Sequence, residues 1–219
     1  MITLVITACG RPDLLERTLD SLYCRGAWAY NDTAKLLSEI IIIEDSGFEC
    51  NDHLIRKYYN IKWLANCKRK GQILSIDRAY SIAKYEYILH WEEDFECVEY
   101  LHEAINQSIH ILSTYPEVCM VGLRGIEDTM TQPVLKDRDY LYLDPTFKGH
   151  WHGFRFNPGL RRLSDWKKMG GYAKHTTFNF KSPADSEIDI AKVYYNMGMV
   201  AALLPEKYVE HIGRGRHVE

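Results

Sequence analysis

Glu92-Glu93-Asp94 places carboxylates side by side. Adjacent negative charges repel unless solvent, donors or a cation compensates them. In an extended segment Glu92 and Asp94 project to the same side, because side chains alternate along a strand. Two hard oxygen donors on one face suit Mg²⁺ or Mn²⁺, and such an ion suits a diphosphate. A solvated acidic loop is the plainer alternative; the position after the apolar run Tyr85 to Trp91 favours metal. Asp45 follows the run EIIIIE and opens the turn Asp45-Ser46-Gly47. A carboxylate there can accept a hydrogen bond from a ribose or a base, or simply cap the turn. His150-Trp151-His152 is a His-x-His pair, but no Cys or third His stands at zinc spacing. Loop or substrate contact is therefore the better reading. His211, near the chain end, reads by itself as an ordinary surface histidine.

Several functions are excluded. There is no G-x-x-x-x-G-K-[ST], and only Gly10 follows the first strand-like run, so no G-x-G-x-x-G exists. A Walker-type NTPase and an NAD-type Rossmann enzyme do not fit. Lys+Arg 27 against Asp+Glu 30 gives a net charge of -3. That balance argues against a nucleic-acid partner. The six cysteines form no C-x-x-C pair and read as reduced thiols of a cytoplasmic protein. No run approaches the 18 or so apolar residues of a membrane-spanning helix. Met1 leads straight into a strand-like run, so no leader peptide is expected. The 219 residues are enough for one core without disulfide or metal staples. A larger parent protein or a peripheral membrane association suits the same sequence.

The elements that must position these groups alternate. Ile2 to Thr7 and Glu39 to Glu44 are β-branched runs of the kind buried in parallel sheets. Between them Pro12 suits a helix first turn, and Leu14, Leu15, Thr18, Leu19 and Leu22 recur at helical spacing. Asp52 to Tyr59 and Gly71 to Lys84 read as helices, with short strands at Ile61 to Leu64 and Tyr85 to Trp91. Further on, Leu101 to Leu112 is helical and Val118 to Leu123 is a strand. Gly125 to Gly149 is polar loop with short antiparallel pieces. Leu163 to Met169 and Ser186 to Asn196 are helices, and Met199 to Leu204 is a strand. Alternating β and α elements argue for an α/β fold with a mostly parallel sheet. No linker splits the chain, so residues 1–219 read as one domain. Ligands of such sheets bind beyond the strands' carboxyl ends. That rule selects Thr7 to Arg11, Glu44 to Gly47, Leu64 to Lys70 and Glu92 to Asp94.

Five segments, in this order, resemble nucleotide-sugar-dependent glycosyltransferases of the GT-A fold, especially the inverting family 2. They are TLVITACGRPDLLERTLDSL, IIIEDSG, GQILSIDRAYSIAKYEYILHWEEDF, FNPGLRRLSDWKKMGGY and SEIDIAKVYYNMGMVAALLPEKYVEHIG. The resemblance covers nearly the whole chain. It implies a Rossmann-like donor half, about residues 1–97, and an irregular acceptor-binding half with a tail, about 98–219. Asp45 would then recognise the nucleoside, with Thr7, Ala8, Gly10 and Arg11 in the same pocket. Asp77, Arg78 and Glu93 fall near the nucleoside and phosphates. Glu92 and Asp94 take the ends of the D-x-D motif, with Glu replacing the family's usual first Asp, and His211 completes the metal site. Arg214, Arg216 and His217 would fold over the diphosphate. The general base is implied at Glu187, with Asp185 and Asp189 as alternatives. Trp151, His152, Arg161, Trp166 and Tyr172 fall on the acceptor side, though Trp166 reads equally well as core.

The activity implied is direct displacement at an anomeric carbon with inversion and a Mn²⁺ or Mg²⁺ ion. The donor is a nucleoside-diphosphate sugar, UDP first, with GDP or dTDP as alternatives. The acceptor is a hydroxyl of a glycan, glycoconjugate or polysaccharide. Two rival readings remain. One is a sugar-phosphate nucleotidyltransferase, for which Ala8-Cys9-Gly10-Arg11 is a poor version of the Gly-rich basic loop. The other is a non-catalytic carbohydrate-binding relative.

Overall fold

The four consecutive isoleucines 40–43 show why this chain builds a two-faced sheet. In the computed structural model, which describes residues 1–25, 37–47, 51–58, 60–126, 132–147, 152–176 and 183–216, Ile40 and Ile42 enter one apolar cluster and Ile41 and Ile43 the other. A strand buried on both faces has no solvent side to alternate towards.

The order along the chain is β1 (Ile2–Ala8), α1 (Pro12–Cys24), β2 (Leu37–Glu44), α2 (Asp52–Lys57), β3 (Lys62–Ala65), α3 (Gln72–Ser81), β4 (Tyr87–Glu92) and β5 (Phe95–Cys97). Then come α4 (Leu101–Thr114), β6 (Val118–Gly122), β7 (Val134–Asp137), β8 (Tyr140–Leu143), β9 (Gly159–Arg162), α5 (Leu163–Met169), α6 (Pro183–Asn196), β10 (Val200–Leu203) and β11 (Val209–His211). The main sheet runs β3-β2-β1-β4-β9-β6-β10-β8-β7, and β5 pairs with β11 separately. Leucines of α1 and α4 pack on one face of the sheet, and the apolar stripes of α3 and α6 on the other. Among the described residues no helix is long and apolar enough to cross a membrane.

The expected parallel sheet holds for β3, β2, β1 and β4. Beyond β4 the parallel direction continues in the β6–β10 pair, with antiparallel strands set among it. Strand β9 lies antiparallel between β4 and β6, and the β7–β8 hairpin adds antiparallel strands at the far edge. The sequence reading contained no strand at β9, β5 or β11. Strand β9 is four residues, GLRR, which show no alternation. Gly159 permits the wedge: a Cβ there would stand 2.7 Å from the Val121 carbonyl oxygen.

Candidate active site

β1 crosses over to β2 on one side, whereas β4 lies on its other side. The strand order therefore reverses between β1 and β4, which is where such sheets open a ligand crevice. Residues 9–11 leave β1 at this point and residues 92–94 end or follow β4. The Glu93 amide extends the ladder to the Thr7 carbonyl at 3.0 Å. From α1, the Thr18 hydroxyl reaches the carbonyls of Glu93 (2.6 Å) and Phe95 (2.9 Å). The acidic segment is thus fixed by backbone bonds on both sides.

The three carboxylates have separate partners. Glu93 is buried and accepts Arg11 Nη2 (2.7 Å), Arg11 Nε (2.9 Å) and the Cys9 amide (3.0 Å). Asp94 Oδ2 takes Arg11 Nη1 at 2.9 Å and lies 3.3 Å from His211 Nε2. Glu92 accepts the Gln72 amide at 2.6 Å. Burial first, then the charges of Asp94, Glu187 and Glu93, push the Glu92 carboxyl up to about 8. The His211 strand β11 pairs with β5 in register His211↔Phe95, which brings the histidine to Asp94. After it the chain presses on Asp94: a Cβ on Gly213 would meet Asp94 Oδ2 at 2.5 Å. Arg11 Nη1 also holds the Arg216 carbonyl at 2.9 Å, and the Arg216 guanidinium pairs with Asp13.

Among the described residues, no group of three or more His, Cys, Asp or Glu side chains suits a metal ion. The donor set still fits one. Mg²⁺-type sites use one or two protein ligands and complete their shell with water and substrate phosphates. Asp94 and His211 offer two donors on one spot, and Glu92 carries a carboxyl that a nearby cation would ionise.

The polar atoms of Asp45, Asp77 and Arg78 are all engaged within the chain. Buried Asp45 accepts Asn66 Nδ2 (2.6 Å) and the amides of Gly71 (2.7 Å) and Lys70 (2.9 Å), closing the loop before α3. Arg78 Nη1 donates to Asn66 Oδ1 (2.6 Å) and the Ala65 carbonyl (2.8 Å). Asp77 accepts Trp166 Nε1 (2.6 Å) and the amides of Tyr172 and Ala173 (both 2.9 Å). It thereby ties α3 to the segment after α5. Thr7 and Ala8 lie within the β1 ladder, and the Gly10 amide donates to Glu44 at 2.9 Å.

On α6, Glu187, Ile190, Ala191 and Tyr194 share a face, and the last three are buried against the sheet. Glu187 is therefore the polar end of an inward stripe. Its Oε1 accepts the Phe156 amide at 2.5 Å. Burial raises its pKa, opposed by that bond and by the charges of Arg155, Arg161 and Arg124. Asp185 is exposed, and Asp189 is half-buried beside Lys192 at 4.0 Å.

Arg124 and Arg155, absent from the sequence reading, sit between the acidic groups. Arg124 feels Glu92, Glu187, Asp94 and Arg214 and lies 5.4 Å over the Phe95 ring. Arg155 is pushed down to about 10 by burial and by Arg124, against the Glu187 charge. Nothing in the sequence signalled them, since each is a lone basic residue in a stretch that reads as loop.

The other acceptor-side residues divide. His152 stacks on Tyr195 at 4.1 Å between ring centroids, and its Nδ1 lies 2.7 Å from the Pro145 carbonyl. Trp166 packs edge-on to Tyr80, as its core reading allowed. Arg161 is buried in the sheet. Trp151 and His217 lie outside the described residues.

This arrangement, an acidic segment at the switch point of a Rossmann-like sheet that continues into antiparallel strands, is the GT-A glycosyltransferase fold. No family model and no curated protein matches the chain by sequence. Solved structures do match in fold. A mannosyltransferase, PcManGT from Pyrobaculum calidifontis in complex with GDP-Man and Mn²⁺, superposes with a TM-score of 0.67 at 13% identity, over 98% of this chain and 57% of that one. S. aureus TarS 1-349 in complex with UDP-GlcNAc gives 0.64 at 12% identity, over 99% and 61%. The same fragment with UDP gives 0.63 at 13% identity, over 95% and 59%. The chain thus spans about three fifths of the length of these neighbours.

Proposed function

We propose that this protein is an inverting glycosyltransferase that moves a sugar from a nucleoside-diphosphate sugar to a hydroxyl of a glycan, glycoconjugate or polysaccharide, with Mn²⁺ or Mg²⁺ bound. The observation that carries the proposal is the mutual proximity of two acidic groups of different character. The Glu92–Asp94 segment with His211 stands at the switch point, and the half-buried Glu187 carboxyl, held by the Phe156 amide, is close enough to act on Glu92 electrostatically. Residues of about 1–97 form the donor side and those of about 98–219 the acceptor side. UDP and GDP donors are the first to test, since both occur in the neighbouring structures.

Each residue then has a role. Asp94 and His211 would hold the ion, with Glu92 behind them. When bound, it would supply positive charge against the leaving nucleoside diphosphate. Arg11, Arg214 and Arg216 border the same space and suit phosphate oxygens. Glu187 accepts the acceptor hydroxyl proton as that oxygen bonds to the anomeric carbon and the bond to phosphate breaks. A raised pKa brings the base closer to neutral pH, where general-base transfer is most effective.

The test is hydrolysis of UDP-GlcNAc and GDP-mannose in the presence of Mn²⁺. Asp94→Ala and Glu187→Gln are each expected to lower turnover by about 10² or more. Turnover indifferent to both EDTA and Asp94→Ala would remove the metal from the reading.

A further inference from the structure

Arg161 is an unusual residue to find inside a sheet. It is 1% exposed, on β9, and its register partners are Ile88 and Met120. Among the described residues no carboxylate pairs with it, and its Nε and Nη1 have no hydrogen-bond partner. Its guanidinium lies over the rings of Phe154 (5.1 Å) and Phe156 (5.6 Å). Burial opposes its charge, and the neutral phenols of Tyr80 and Tyr172 close by offer it polar contact but no counter-charge. Neighbouring His90, wholly buried, is held neutral by burial and by the Arg161 charge. Burying an unpaired cation is costly, and an apolar side chain of similar volume is often as stable or more so. Packing alone therefore does not account for Arg161.

Its one well-directed nitrogen suggests what does. Nη2 donates to the carbonyl of Arg155 at 2.9 Å and approaches that of Asn157 at 3.4 Å. These carbonyls flank residue 156, whose ring lies beneath the same guanidinium and whose amide donates to Glu187 Oε1 at 2.5 Å. We propose that Arg161 is a positioning residue: it clamps the 155–157 turn from inside the sheet and thereby fixes the Glu187 carboxylate in the cleft. The inference rests on Glu187 being the base. It also moves Arg161 from the acceptor surface, where the family resemblance placed it, to the support beneath the catalytic group.

The experiment compares Arg161→Met, Arg161→Lys and Glu187→Gln with the wild-type chain in Mn²⁺-supported hydrolysis of GDP-mannose and UDP-GlcNAc. Hydrogen exchange of the backbone is followed in parallel. Arg161→Met is expected to lower kcat about 10- to 100-fold with KM within about twofold, the pattern of a misplaced reacting group. Arg161→Lys, which can reach one carbonyl but lacks the planar fork, should recover part of the loss. Exchange at residues 155–157 should rise about tenfold in both variants while α3 keeps its protection. If Arg161→Met fails to fold, the lysine variant carries the same readouts. Unchanged exchange at 155–157 overturns the clamp whatever the turnover. A raised KM with unchanged kcat overturns it in favour of substrate contact. Wild-type kcat in Glu187→Gln sinks the base assignment and the inference together, whereas a fall there with none in the Arg161 variants sinks the inference alone.

Discussion

Glu187 holds its proton above the ordinary glutamate value of 4.5, because desolvation outweighs the Phe156 amide and the three arginines around it. The sign of the consequence follows from linkage. A carboxyl with a raised folded-state pKa contributes stability that is fully present below pH 4.5 and is lost as pH climbs through its native titration. Glutamine has no proton to lose, and its amide oxygen can still accept the Phe156 N–H. Wild type and Glu187→Gln should therefore melt alike near pH 4, and the variant should melt progressively higher towards pH 8. Thermal melts across that range check this; a wild type that gains on the variant with rising pH would contradict the burial of the carboxyl. The same residue shows the limit of sequence reading. Family order placed Glu187, Asp185 and Asp189 together, but the helix face separates them: only Glu187 continues the stripe of Ile190, Ala191 and Tyr194. Asp94 and His211 lie 117 positions apart in the chain, and a histidine that reads as surface became a partner only through the β5–β11 pairing.

At the scale of elements, legibility followed burial on two faces. β1 and β2 were visible because their central runs, Leu4 to Ile6 and Ile40 to Ile43, are apolar on both faces, although Thr3, Thr7, Glu39 and Glu44 are buried beside them. β9 was hidden because Arg161 and Arg162 both occupy strand positions for reasons other than hydrophobicity: one clamps a turn, and the other pairs with Asp165 at 2.7 Å. The tail after β11 is the element whose perturbation is most informative. The Ile212 amide bonds the Asp94 carbonyl at 2.8 Å, and Gly213 leaves no room for a side chain against the Asp94 carboxylate. Gly213→Ala must shift either the tail or Asp94, while the main sheet stays untouched. Its melting temperature should fall by no more than about 2–4 °C, the equivalent of roughly 1 kcal/mol in a chain of this length. Its Mn²⁺ affinity, read by calorimetry, should fall about tenfold, because both proposed ligands flank the disturbed contact. Unchanged Mn²⁺ binding would separate the tail from the metal site.

For the whole molecule, the net charge of -3 conceals a strong local separation. Glu92, Glu93, Asp94 and Glu187 are gathered at one end of the sheet, and Arg11, Arg124, Arg155 and Arg214 are interleaved with them. A site of this kind is poised between signs. A free nucleotide adds negative charge beside these carboxylates, and a free divalent ion adds positive charge beside these guanidinium groups. Each alone meets repulsion that the other relieves, so the two should bind together far better than singly. A thermal-shift screen of UDP, GDP and dTDP, each with and without Mn²⁺, measures this directly. Ligand at about 100 times its Kd stabilises the native state by about 2.7 kcal/mol. At 2–4 °C per kcal/mol, that is a shift of about 5–10 °C. One of the three nucleotides with Mn²⁺ should reach it, and the same nucleotide or Mn²⁺ alone should give well under half. Equal shifts with and without the ion would mean that the arginines suffice for the diphosphate, and that the acidic segment serves the fold instead of the metal.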